Sequence, residues 1–369
     1  MQIYRSLLEI THMKRIAMCL DYDGCICTTA YVFPFTPENV KDIKTNTSII
    51  DINIQLWDFI LELCKENPNL EFLTLVHFSA RQNARTDAIN SFQNESESYY
   101  LAMEKIFCHV TNFLKSHGIN IRVNINYLLM PDIYHNREHG YTFKKAVEDI
   151  DYTLQGRGMI NCTLSDDDFL YDDSKVSFVF AHVHAIEAEV FYYLDDRLDI
   201  CSTIKKFYGN PVGSSLIPSD VKIILCHYDD GNLKKPPICE INGTGEKCHR
   251  YANILQSINK KEKSNLKILP NTYDKNIEQS IKSFYKIYQE HVYEDLLKLT
   301  PLQNALSDTL PILNNSREYE FDLALHQETQ SSPLQKSLLS GFIGFWEPKI
   351  ASRKENDEEP KSNKQCNII

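Results

Sequence analysis

Only 12 glycines and 2 tryptophans occur in 369 residues, and basic side chains are outnumbered, 39 against 50 acids, giving a net charge of −11. Three absences narrow the reading further. No block of clustered Lys and Arg is present, so the chain is not a general nucleic-acid binder, whose phosphate contacts need such clusters. A local basic pocket for a phosphorylated ligand is still allowed. No run reaches the roughly 18 apolar residues needed to cross a bilayer; the most apolar late stretch, 338–346 (LLSGFIGFW), is too short. The first fifteen residues lack the apolar core and small-residue cleavage site of a secretory signal. The eleven cysteines are odd in number and follow no repeating spacing, which suits a reduced, cytoplasmic thiol population. Cys239, Cys248 and His249 stand near one another, but at no spacing common among zinc sites.

What is present is ample core material: 43% of residues are hydrophobic and 11% aromatic. The length suits two average domains, or one large domain with appendages. Short apolar runs at 15–20 (RIAMCL), 71–78 (EFLTLVHF), 121–130, 190–194 (VFYYL) and 221–226 (VKIILC) predict strands. Between them, apolar residues recur every three or four positions at 51–65, 99–116 and 198–207, and 175–188 is also expected to be helical. Strands that are nearly all apolar and alternate with helices predict an α/β fold, a parallel sheet with helices on both faces. The acidic stretch 149–173 reads as irregular. After about residue 260, Lys-rich loops surround an amphipathic segment, 276–299. The expected organisation is an α/β domain over 1–260, a mainly helical region over 261–350, and a polar, charged, disordered tail over 351–369.

Three of the predicted strands end in a residue suited to chemistry: Asp21, Ser79 and Asp195. In open α/β sheets, ligands bind at the carboxyl ends of strands. Asp21 and Asp23 are two apart, so they point the same way at a strand end. Two such carboxylates can divide labour, one attacking phosphorus and the other acting as general acid and then base. Gly24 allows a tight turn and close approach to a phosphoryl group. Crowded carboxylates call for a hard cation, and Mg²⁺ suits oxygen ligands. Asp195, Asp196 and Asp199 form a second acidic group (DDRLD) that a metal would explain better than a single helix cap would. Ser79 could donate to a phosphoryl oxygen or simply cap the following turn. A cation is needed beside the nucleophile; Lys175 is one candidate, with Lys144 or Lys145 the alternative. His77 is given no role.

In order and context these segments, CLDYDGCI, LVHFSAR, DDSKVSF and YYLDDRLDI, resemble the four motifs of the haloacid dehalogenase (HAD) superfamily. The resemblance covers about residues 13–230. It implies a Rossmann-like core with a central parallel sheet, and a Mg²⁺ ion held by Asp21, the backbone carbonyl of Asp23 and an acid of the fourth motif. One alignment puts Asp195 on the metal with Asp199 behind it; another keeps Asp196 in play. An acid at position 23 implies phosphatase chemistry on a phosphomonoester, through an aspartyl-phosphate. Cys25 departs from the Thr that family phosphatases often carry.

The chain ends Cys366-Asn367-Ile368-Ile369, which resembles a CaaX prenylation box. Prenylation of Cys366 would attach the protein to a membrane, with a second signal expected because one prenyl group anchors marginally. The richness in Lys, Asn, Ile and Tyr, and the acidic cluster at 355–359, resemble effectors that intracellular bacteria such as Legionella secrete into a host cell; the substrate would then be a host phosphoprotein. The competing expectation is a non-enzymatic, lipid-anchored adaptor that keeps the fold.

Overall fold

The computed structural model describes residues 15–27, 49–93, 98–154 and 172–299. In chain order the elements are β1 (Arg15–Leu20), α1 (Ile49–Ile52), α2 (Ile54–Glu66), β2 (Phe72–His77), α3 (Ala84–Gln93), α4 (Tyr99–Ser116), β3 (Arg122–Asn126), α5 (Met130–Tyr134) and α6 (Tyr141–Leu154). They continue with α7 (Val176–Ala185), β4 (Val190–Asp195), α8 (Leu198–Tyr208), α9 (Pro211–Ser214), β5 (Lys222–Asp229), β6 (Asn232–Leu233), β7 (Cys239–Asn242), α10 (Tyr251–Lys263) and α11 (Ile277–Leu299). The fold is α/β. Five parallel strands lie in the order β3-β2-β1-β4-β5. The short strands β6 and β7 pair antiparallel with β5 and make the sheet mixed.

Side-chain alternation divides the core. Ile16, Met18 and Leu20 of β1, with Val190 and Leu194 of β4, join a cluster that includes Leu56, Trp57 and Ile60 of α2 and Ile106, Val110 and Leu114 of α4. The other face carries Tyr193 of β4, whose ring lies 4.8 Å from Phe78 and 6.0 Å from His182 of α7. Helix α7 is buried along Val176–His184, as expected for a helix with no polar face turned to solvent. Phe180 of α7 and Phe207 of α8 close on Phe284 of α11 at 5.1 and 5.5 Å. Each such ring contributes about 1.5–3 kcal/mol on burial.

Several boundaries differ from expectation. The strand read over 121–130 stops at Asn126, and Pro131 sits in the first turn of α5 instead of ending a strand; proline is well tolerated there, where its missing N–H is unneeded. The stretch read as irregular from 149 is helical as far as Leu154. The expected domain boundary at 260 falls inside α10, and α11 packs on α8, α9 and α10 within the same compact unit as the sheet. The remainder of 261–350 and the 351–369 tail, with Cys366, lie outside the described residues. No described helix is long and apolar enough to cross a membrane.

Candidate active site

The chain runs outward from β1 to β3 on one side and to β5 on the other, so the crevice between the carboxyl ends of β1 and β4 is the point where strand order reverses. The amide of Asp21 donates to the Leu194 carbonyl at 3.1 Å, extending the ladder one residue past β1. Asp21 and Asp195 therefore stand side by side. Alternation turns both toward α7, the side that also receives Tyr193.

Lys175 meets them there. It caps the amino end of α7 in the left-handed region, at φ 56°. The turn is fixed by Asp172, whose buried carboxylate accepts from the amides and hydroxyls of Ser174 and Ser177 at 2.5–3.0 Å. Lys175 Nζ lies 2.9 Å from Asp21 Oδ1 and 2.7 Å from Asp195 Oδ2, and 4.6 Å from the centre of the Phe78 ring. The two alternatives lie elsewhere: Lys144 is exposed on α6, and Lys145 pairs with Asp149 at 2.7 Å.

Among the described residues, one group of acids converges closely enough to hold a metal ion: Asp21, Asp195 and Asp196, with ligand atoms within 4.8 Å of one another. Their oxygens are not equally free. Asp195 Oδ2 accepts from Lys175, and Oδ1 accepts from the Arg197 amide at 2.9 Å. Asp196 Oδ1 is buried and has no hydrogen-bond partner. The Asp196 carboxylate lies against Gly24, where a Cβ would fall 2.4 Å from Oδ2 and where φ is +79°; both facts require glycine.

The electrostatics follow from this crowding. Burial pushes the Asp21 carboxyl well above the usual range; Lys175 opposes the shift, while Asp195 and Asp196 add to it. Burial and then the charge of Asp195 push Asp196 up to about 6. Among the described residues, three carboxylates thus share one ammonium, and one buried oxygen lacks a donor. Such a donor set fits a hard cation such as Mg²⁺, and the unpartnered oxygen makes Asp196 a better-placed candidate ligand than Asp195.

Asp23 lies outside this trio. Its Oδ2 accepts from Arg81 Nε at 2.9 Å and its Oδ1 from Arg81 Nη2 at 2.5 Å. Ser79 is buried two residues beyond β2; its hydroxyl accepts from the Arg81 amide at 3.3 Å and its carbonyl from Gln82 Nε2 at 2.6 Å. These bonds give Ser79 a turn-forming role. Asp199 corrects an expectation: it does not join the trio of Asp21, Asp195 and Asp196. It sits in the first turn of α8, and Arg197 takes both its oxygens, at 2.7 and 3.3 Å. Arg197 holds its carboxyl below the usual value although burial works the other way.

The sequence reading missed Arg81 and Asp172. For Arg81 a signal existed, an arginine within three residues of an apolar strand, since a buried guanidinium must find acids. Nothing local named the partner 58 positions away. Comparison with protein-family models, with curated proteins and with solved structures finds no match.

Proposed function

We propose that this chain is a Mg²⁺-dependent phosphomonoester hydrolase with a HAD-type core, acting through an aspartyl-phosphate on Asp21. The observation that carries the reading is Lys175 bridging Asp21 and Asp195 at the strand-order reversal. A carboxylate that must attack an anionic phosphoryl group needs a fixed cation beside it. The order of the four motif-like segments supports the same reading.

Mg²⁺ would be held by Asp21, the carbonyl of Asp23 and Asp196, and when bound it neutralises charge as the phosphoryl group moves. The residues do the rest. An Asp21 oxygen attacks phosphorus in line with the ester oxygen, and the P–O ester bond breaks. Asp23 gives its proton to the leaving oxygen. Asp23, now a carboxylate, takes a proton from water; the hydroxide attacks phosphorus, the Asp21–phosphate bond breaks, and inorganic phosphate leaves. Lys175 holds Asp21 in one orientation throughout, and the Ser79 hydroxyl is the side-chain donor offered to a phosphoryl oxygen.

Hydrolysis of an aryl phosphate with Mg²⁺ tests the proposal. Asp21→Asn keeps the shape and removes the nucleophile, so the rate falls by about 10³-fold or more. A wild-type rate in that variant overturns the reading. Inactivity toward aryl phosphate, phosphopeptides, phosphosugars, nucleotides and phosphoinositides alike does so too, and would favour the adaptor reading. Phosphopeptides are the first class to screen for a natural substrate.

A further inference from the structure

We infer that Arg81 is a positioning residue that acts through Asp23, an inference that rests on the phosphohydrolase reading. The Arg81 side chain is 0% exposed, yet it carries two acids. Its Nε and Nη2 face the two oxygens of Asp23, while Nη1 reaches the buried Asp87 on α3 at 3.1 Å.

The far side of this clamp is anchored. Asp87 accepts from the Ser98 hydroxyl at 2.6 Å and the Tyr99 amide at 2.9 Å, which ties it to the start of α4. The Tyr100 hydroxyl donates to the Arg81 carbonyl at 3.0 Å. The guanidinium stacks 4.6 Å from the centre of Tyr22, and Tyr22 in turn stacks on Tyr99 at 4.6 Å. Asp87, Tyr22, Tyr99 and Tyr100 are buried and Ser98 is half-buried; at the other end of the network the Asp23 side chain is 37% exposed.

An exposed carboxylate rotates freely unless something fixes it. A fork of two parallel N–H donors does so, because it sets the carboxylate plane as well as its position. Lysine offers a point charge and cannot set that plane. The two carboxylates of the first motif therefore have separate cations: Lys175 for Asp21, Arg81 for Asp23. Arg81 touches no reacting atom in this scheme; it determines where Asp23 delivers and collects its proton.

A double-mutant cycle tests this. Arg81→Lys should lower kcat on the order of 10- to 100-fold with KM within about threefold. In an Asp23→Asn background the same change should cost less than about twofold, because the residue it acts through is already disabled. Asp87→Asn keeps Arg81 and every acid of the site; it should give a smaller loss, about 3- to 10-fold, again absent in the Asp23→Asn background. It keeps the inference testable if Arg81→Lys fails to fold, which melting curves would reveal. Equal losses in both backgrounds, or a loss confined to KM, overturn the inference and leave the phosphohydrolase standing. An inactive wild-type protein overturns both.

Discussion

Two groups of acids lie where the amino end of α7 meets the carboxyl end of β4, and they balance their charge differently. The inner group, Asp21, Asp195 and Asp196, shares Lys175, and the side chains of Asp21, Asp195 and Lys175 are at most 8% exposed. The outer group, Asp173 and Asp199, shares Arg197 at 3.0 and 2.7 Å, with all three side chains about one-third exposed. Asp173 also accepts from the Thr272 hydroxyl at 2.6 Å. Water screens the outer group, and its arginine meets both acids with separate donors. The inner group has more negative charge, one cation among the described residues and little exposure to water. The difference separates two kinds of network: one that is internally satisfied fastens loops, whereas a buried one left short of positive charge is a candidate to receive a cation.

The comparison can be broken most forcefully at Lys175. Lys175→Met removes the cation that the described residues supply to the inner group and leaves buried carboxylates uncompensated. The metal-free protein should lose about 3–5 kcal/mol, the size expected when a buried pair loses one partner. Denaturant melts measure this; a loss below about 1 kcal/mol would put the inner group in the same class as the outer one.

Asp196→Asn acts in the opposite direction. The folded carboxyl titrates at about 6, above its ordinary 3.8. A raised carboxylate pKa means that the folded state binds the proton more tightly than the unfolded state. The stability from this group is present below about pH 3.8 and is lost as pH rises through about 6. Removing the charge should therefore stabilise the metal-free protein at pH 8 by about 1–3 kcal/mol, after discounting for partial exposure, and by much less at pH 4. Mg²⁺ should raise the melting temperature of wild type and do so less in this variant, by linkage. A destabilised Asp196→Asn protein at pH 8 would remove the charge-excess account.

The smallest effect is expected in the outer group. Asp199→Asn should change stability by less than about 1 kcal/mol, since exposed pairs contribute little. The Mg²⁺ concentration needed for half-maximal activity should stay as it was. A raised Mg²⁺ requirement would return Asp199 to the metal site.

The sheet was readable because its strands are short apolar runs with abrupt polar ends, RIAMCL before Asp21 and VFYYL before Asp195. A period of two or an unbroken apolar run is a local property. The residues at those ends were legible for the same reason, and so was Lys175 as a candidate. What was hidden depends on contacts between distant segments. Which acids of the DDRLD segment face inward is set by where β4 ends and α8 begins, one residue either way. Arg197 could pair with acids on both sides of it in sequence, and only the packed turn decides among Asp195, Asp196 and Asp199. Similarly, α5 carries in its first turn a proline, Pro131, that reads equally well as a terminator.

The register of β1 against β4, with Leu20 opposite Leu194, has a consequence in time. β1 is an inner strand, with β2 on one side and β4 on the other. A ribosome delivers β1 and then must add roughly 170 more residues before β4 exists. At about 5–20 residues per second, that takes about 10–35 seconds. During that interval one long edge of an apolar strand waits with its amides unpaired, which is the kind of surface that recruits other chains. The crevice can close only when β4 arrives, so Asp21 is made early and becomes useful late. Synthesis slowed between α4 and β4 should lengthen this exposure, and a chaperone that shields strand edges should matter most there.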